Sequence, residues 1–403
     1  MLSRKDFLKC LGLGTANAAF SFSPTFPKTP DDFRPAAPRM KIRDIEIYGL
    51  NFPMKKPIKI VQGTIATIDN VLIRIQTDAG ITGLGEAAPA RLITGETQDS
   101  NIASGRAIKD LLLGKDPLAV ESRLGDIGVI VHSNPSIVAA IDMALYDIMG
   151  KAAGIPLYRL LGGDKTAFET DSTVVLDTPE VMTRVAVGYV QEGFRTLKVK
   201  CGRAPDLDAT AIRMIREAVG PDVQIRIDAN QGWLPAQASG VLKLLESYGL
   251  QLCEQPVAAW DVAGLRSVRA ESLIPIMADE ALFSPADALR LVREEACDLF
   301  NIKLMKSGGI LNALKIAHIA EAANIRCMVG CMSEGRIGLT AGAHLVASQK
   351  NIIYADLDAL IFHGVDPVIG GMTFSGGKIT MPETPGLGLE LDSVFLKSLK
   401  RVG

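Results

Sequence analysis

Five charged residues, Lys200, Asp228, Glu254, Asp279 and Lys303, each close a short apolar run: TLKVK, VQIRID, LQLCE, IPIMAD and LFNIK. The intervals between them are 28, 26, 25 and 24 residues. That is the length of a strand plus its return helix, since a βαβ unit takes roughly 30 residues. Carboxylates at three successive strand ends would lie on one arc of a rim. They offer hard oxygen donors and suit Mg2+, which takes octahedral oxygen coordination and leaves positions for water or substrate. No histidine lies near them, which argues against zinc. Lys198 and Lys200 share a parity, so both face the same side of their strand.

The same count continues in both directions. Cys331 follows Lys303 by 28 residues, Asp356 follows Cys331 by 25, and Thr173 precedes Lys200 by 27. Eight apolar runs alternate with amphipathic segments such as PDLDATAIRMIREAVG and SPADALRLVREEA, with Pro near their starts. The pattern predicts an α/β chain folded as a (β/α)8 barrel, whose strand C-terminal ends carry the active site. With Thr173 on the first strand, Lys200 stands on the second and Lys303 on the sixth, on opposite walls with the carboxylates between. Two opposed amines could remove and return a proton on either face of one carbon. A metal polarising a carboxylate would stabilise the enediolate formed when its α-proton leaves. Cationic neighbours, the metal for both and Lys198 for Lys200, would lower the amine pKa toward a useful value. Lys306 reads as a loop charge. Asp228 reads as an exposed rim acid, so Asp228→Asn should remove activity without unfolding the barrel.

The elements around this stretch divide the chain. Residues 1–38 have the form of an export signal and linker, SRKDFLK followed by CLGLGTANAAF and a Pro-rich tract, similar to a twin-arginine signal with Lys5 in place of the second arginine. Residues 39–165 begin with alternating strands and a Thr77–Gly80 turn and continue as helices, an N-terminal α+β capping domain. Residues 166–360 are the barrel, and 361–403 return to the cap. The expected location is the periplasm, or the cytoplasm if the signal is not used. A formal net charge of -2 over 403 residues gives no electrostatic reason to expect nucleic acid or an anionic membrane. No stretch is long and apolar enough to span a bilayer. The six cysteines contain no CxxC pair and read as reduced core or pocket thiols.

These residues resemble the enolase superfamily in its muconate-lactonizing subgroup, from about Met40 onward. The matching pieces are Lys198-Val199-Lys200, Asp228-Ala229-Asn230, Glu254-Gln255-Pro256, Ala278-Asp279-Glu280 and the run from Asn301 to Gly309. The resemblance implies Mg2+ on Asp228, Glu254 and Asp279, acid/base lysines at Lys200 and Lys303, and Lys198 touching the substrate carboxylate. Asp356-Leu357-Asp358 looks like the DxD of dipeptide epimerases, where two carboxylates hold a dipeptide's free ammonium. By similarity Thr173 and Cys331 line the substrate pocket. A dipeptide substrate, Mg2+ as cofactor and assembly into a homo-oligomer are therefore expected.

The cap stretch Pro57 to Ile65 has no arginine to meet a glutamate side chain. Lys59 could substitute, but Gln62 and Ile65 suggest a neutral or apolar second residue. The alternatives are a muconate cycloisomerase or o-succinylbenzoate-synthase-like enzyme, which the acidic pair disfavours because it would repel a dicarboxylate, and a non-catalytic binder, which the retained lysines and carboxylates disfavour.

Overall fold

The protein is described by a computed structural model over residues 40–60 and 63–403, so the expected export signal and Gln62 lie outside the described residues. The side chains of Lys59 and Ile65 lie outside them too.

Three antiparallel strands open the fold: β1 (Ile42–Ile60), β2 (Gly63–Thr77) and β3 (Thr82–Ala87). Ile45, Ile47, Ile73 and Ile75 are buried, and the sheet packs on the helix Pro135–Ala153. Glycine makes the close approach possible. A Cβ at Gly85 would stand 1.8 Å from the Ala140 carbonyl oxygen, and one at Gly83 would stand 2.1 Å from that of Ala144.

A short strand, β4 (Ala167–Glu169), belongs to an antiparallel side sheet. Eight parallel barrel strands follow: β5 (Ser172–Val174), β6 (Thr196–Lys200), β7 (Gln224–Asp228), β8 (Leu250–Glu254), β9 (Ile276–Ala278), β10 (Leu299–Ile302), β11 (Arg326–Gly330) and β12 (Ile352–Asp356), paired in that order from β5 through to β12. The eight-stranded barrel with its N-terminal cap is the architecture expected from the spacing. Return helices start where the sequence stops a strand's extension. Pro179, Pro205, Pro235 and Pro285 sit in the first turn of theirs, where a missing N–H costs nothing. Thr178, Asp261 and Ser284 cap theirs by accepting from Val181, Gly264 and Asp287 amides.

Among the described residues no ladder joins β12 to β5. Side chains close that seam instead. The Leu357 amide donates to Thr170 Oγ1 at 2.9 Å, and the Thr173 amide donates to Asp358 Oδ2 at 2.6 Å.

Cap and barrel are fastened by buried carboxylates. Glu86 on β3 accepts from the Gly335 and Gly338 amides at 2.7 and 3.0 Å, at the start of the helix Arg336–Ser348. Asp142 accepts from the Ile310 and Leu311 amides at 2.5 and 3.2 Å, at the start of the helix Ile310–Ala322. Gly309, with φ at 111°, is required there, because a Cβ would fall 2.4 Å from Asp142 Cγ. The C-terminal segment lies on the cap: the Val402 amide donates to the Ile47 carbonyl at 2.8 Å, and Arg401 pairs with Asp44.

Candidate active site

Inward-pointing residues of the barrel strands alternate with core residues, so the period of two sets the site. Lys198 and Lys200 on β6 point inward beside Arg226 and Asp228 of β7, to which they are registered. Glu254 ends β8, while Asp279 and Lys303 follow β9 and β10 by one residue. The site residues expected from the sequence therefore converge. A cavity of about 540 Å3 lies between cap and barrel, lined by Thr173, Lys198, Lys200, Lys303, Cys331, Asp356 and Asp358 on the barrel side. The carboxylates of Asp228, Glu254 and Asp279 lie beneath this floor.

Their contacts form one charged cluster. Lys198 Nζ reaches Asp228 Oδ2 at 3.1 Å, Glu254 Oε2 at 2.9 Å and Asp356 Oδ2 at 2.8 Å. Lys200 Nζ is 2.7 Å from Asp228 Oδ2, and Lys303 Nζ is 2.8 Å from Asp279 Oδ2. Asp358 Oδ1 lies 4.0 Å from Cys331 Sγ. Asp228 is fully buried, which corrects the expectation of an exposed rim acid. The expectation that Asp228→Asn spares the fold therefore rests on relief of crowding among acids rather than on exposure.

The electrostatics also depart from expectation. Burial works to lower the Lys303 pKa, but the Asp279 carboxylate beside it holds the net shift upward. Lys198 is likewise raised, with Asp356, Glu254 and Asp228 outweighing burial. The cationic neighbour Lys198 does pull Lys303 down, but the adjoining Asp279 carboxylate outweighs it. For Asp228 and Asp279 burial pushes the pKa up, yet the lysines win and both stay low. Glu254 moves the other way, raised by burial and by Asp228.

Several participants escaped the sequence reading. Lys306, taken there as a loop charge, is buried and donates to the Asp279 carboxylate and its backbone carbonyl. The one-turn helix Leu304–Ser307 begins at Lys303 and puts Lys306 on the same side, a spacing of three that could have revealed it. Gln255 Oε1 accepts from the Asp279 and Ala281 amides at 2.9 and 3.1 Å and fixes the backbone of the third carboxylate. One layer down, Arg226 pairs with Asp171 at 2.7 Å and lies over the Tyr354 ring at 4.3 Å. Asn230 and Glu280 bridge toward Lys200.

The donor set fits a divalent cation. Buried carboxylates crowd here, and burial together with the neighbouring Asp228 raises Glu254, as expected of a site short of positive charge. Glu254 Oε2 has an ammonium nearby but no hydrogen bond of good geometry. Hard oxygens of this kind suit Mg2+.

Residues 43–162 match the mandelate racemase / muconate lactonizing enzyme N-terminal domain, and residues 181–394 match the enolase C-terminal domain-like model. The L-Ala-D/L-Glu epimerase of Clostridium acetobutylicum is 44% identical over 87% of this chain and 99% of its own. The hydrophobic dipeptide epimerase of Enterococcus faecalis is 42% identical over 87% of this chain and 99% of its own. The crystal structure of a dipeptide epimerase from Cytophaga hutchinsonii, complexed with Mg and the dipeptide D-Ala-L-Val, superposes with a TM-score of 0.88 at 41% identity, covering 90% of this chain and 99% of that one. With both domain models matched in order and the charged cluster formed at the barrel's strand ends, the chain belongs to the mandelate racemase/muconate lactonizing family of the enolase superfamily.

Proposed function

We propose that this protein is a Mg2+-dependent dipeptide epimerase, an isomerase that inverts the α-carbon of a dipeptide's C-terminal residue by 1,1-proton transfer. The observation that carries this is the opposition of Lys200 and Lys303 across one cavity, with three carboxylates below and the Asp356–Asp358 pair at its side. Asp228, Glu254 and Asp279 would hold the ion, which when bound supplies a Lewis acid for the substrate carboxylate. Lys198 contributes a fixed positive charge to that same carboxylate. One of Lys200 and Lys303, unprotonated, takes the α-proton from its face, and the other, as an ammonium, returns one to the opposite face. The configuration inverts with no net gain or loss of protons. Asp356 and Asp358 receive the dipeptide ammonium through charge-assisted hydrogen bonds, and Thr173 and Cys331 complete that wall. The relatives named as dipeptide epimerases, with Mg and dipeptide in a solved example, support this assignment. A cycloisomerase or succinylbenzoate-type lyase is disfavoured, since the acidic pair would repel a second substrate carboxylate.

The second residue of the dipeptide is small or apolar on this proposal. Ile68, Leu92 and Ile93 of the cap, with Met332 and Phe362 from beyond β11 and β12, line the cavity. The functional units are the cap at 39–165, the barrel at 166–360 and the returning segment at 361–403. Residues 1–38 direct export to the periplasm; among the described residues no helix is long and apolar enough to cross a membrane. A homo-oligomer accounts for the exposure of Trp260 and Leu234, large apolar side chains on neighbouring rim loops.

The test is a dipeptide library incubated with protein and Mg2+ in D2O, read by mass for label at the α-carbon. Label in one or more dipeptides is expected, and none across the library would overturn the proposal.

A further inference from the structure

Lys200 and Lys303 are opposed across the cavity, but they are not held alike. Lys303 Nζ rests on a carboxylate, Asp279, which it shares with Lys306. Lys200 Nζ touches Asp228 and also donates to Asn230 Oδ1 at 3.0 Å. Asn230 is fixed on three sides. Its amide N–H donates to Asp228 Oδ1 at 2.8 Å, its Nδ2 donates to Glu280 Oε1 at 3.1 Å, and its backbone takes φ 42°, in the left-handed region that a non-glycine residue seldom occupies. With a carboxylate on one side and an ammonium on the other, the carboxamide can point only one way, oxygen to Lys200 and nitrogen to Glu280. Asn230 and Glu280 are both buried.

We infer that the Asn230–Glu280 pair is a positioning device for Lys200 alone, and that the two half-reactions therefore depend on different supporting residues. This rests on the two-base epimerase proposed above. The physical reason lies in what a base requires of its neighbours. A lysine side chain has four rotatable bonds, and ordering it costs rotamer entropy. A carboxylate could hold the amine, but it would also hold the proton on it. A neutral carbonyl oxygen fixes the direction of the nitrogen without adding a negative charge. Once a cation engages Asp228, Asn230 Oδ1 is the remaining described partner of Lys200. Glu280 acts at one remove: its carboxylate anchors Nδ2 and so keeps Oδ1 turned toward the amine. Glu280 Oε2 has no hydrogen-bond partner among the described residues, so this anchoring is the polar contact that its side chain makes.

The experiment uses the Mg2+-loaded full chain and one dipeptide that the wild-type protein epimerises. Each epimer is placed separately in D2O, and loss of its α-proton signal is followed by NMR. For Asn230→Ala, exchange from the epimer served by Lys200 is expected to fall tenfold or more, while exchange from the other epimer stays within about threefold. Glu280→Ala should show the same one-sided loss, and Glu280→Gln, whose amide oxygen can still accept from Nδ2, should recover most of it. Mg2+ affinity by calorimetry should stay within about threefold in all three variants. An equal fall for both epimers, or a parallel loss of Mg2+ affinity, would assign the pair to the metal site and overturn the inference. Exchange unchanged for both epimers would overturn it as well. If the wild-type protein exchanged neither epimer of any dipeptide, the epimerase proposal itself would fail and this inference with it, an outcome distinct from the others.

Discussion

The molecule contains two populations of buried carboxylates that look alike by exposure and differ in what faces them. Glu86, Asp142 and Asp147 accept from backbone amides, at distances from 2.5 to 3.2 Å, and Asp147 alone of these has a lysine beside it, Lys151 at 2.6 Å. Asp228, Asp279 and Asp356 face lysine ammoniums. The consequence for charge is opposite. Burial pushes Asp142 up to about 7, an increase that its two amides only partly offset. Burial pushes Asp228 and Asp279 up too, but the lysines hold both below the usual carboxylate range. The first population fastens helices to the cap. The second keeps anionic oxygens gathered at one point, which is what a cation or an acid–base pair requires. Burial alone marks neither; the partner does.

The sharpest way to test the distinction is to remove an amine. Lys303→Ala and Lys200→Ala should each lower epimerisation by about 10^3-fold, yet each should leave α-proton exchange intact for one epimer. On the proposed two-base scheme, Lys200 is assigned the L epimer and Lys303 the D epimer. Were both variants to lose exchange of the same epimer, as followed by NMR, the lysines would share a face and the two-base scheme would have to be given up.

A second pair of substitutions sets the two populations against each other. Asp147→Ala leaves the Leu84 and Leu387 amides buried without an acceptor, at a cost of about 3 kcal/mol. Turnover well below the melting transition should be retained. Asp228→Asn should do the reverse, removing most turnover while the unfolding midpoint in urea moves little. The comparison breaks if both variants lose activity and stability together.

His344 tests the fastening region by pH. Its Nδ1 accepts from the Tyr158 amide at 3.0 Å and its Nε2 faces the Leu387 carbonyl at 3.2 Å, so it is held neutral. Burial lowers its pKa from 6.5 to about 4. The unfolded chain therefore binds a proton between those values that the folded chain does not, and stability falls as pH drops through that window. The loss attributable to this group is about 3 kcal/mol from pH 6.5 to 4. His344→Gln should flatten that part of the stability curve, measured by denaturant unfolding across pH; an unchanged slope would exclude His344 as its source.

The smallest effect concerns the cap wall. Dipeptides ending in a small or apolar residue should exceed Ala-Glu in kcat/KM by about tenfold. A clear Ala-Glu optimum would break this expectation and point to Arg91, which lines the cavity with no ion pair among the described residues.

The barrel and its charged strand ends were legible because period and spacing are local properties: each of Asp228, Glu254 and Lys303 closes its own apolar run. Asp356 was legible for the same reason, whereas Asp358 was reached through the resemblance to the DxD of dipeptide epimerases. What surrounds them was not. Glu86 meets Gly335 across 249 positions, and Arg226 meets Asp171 across 55. Asn230 and Glu280 were quoted within motifs, yet their contact spans 50 residues, and only the ring of strands brings it about. Gln255 was visible as a letter in EQP, but its role as acceptor for two amides of the next strand end depends on a backbone at φ 34° that spacing does not reveal.

The seam between β12 and β5 carries a consequence for local opening. Every other junction in the barrel is a ladder of backbone bonds, whereas here Asp358 and Thr170 side chains bridge the gap. Asp358 is also proposed to receive the dipeptide's ammonium, so one carboxylate serves both as latch and as receptor. Amide protons of Thr173 and Leu357 should accordingly exchange with solvent sooner than those buried along β7 or β8. A bound dipeptide, by ordering Asp358, would slow them: occupancy would be written into the protection of two amides, and the barrel would be a more completely closed ring when it is full than when it is empty.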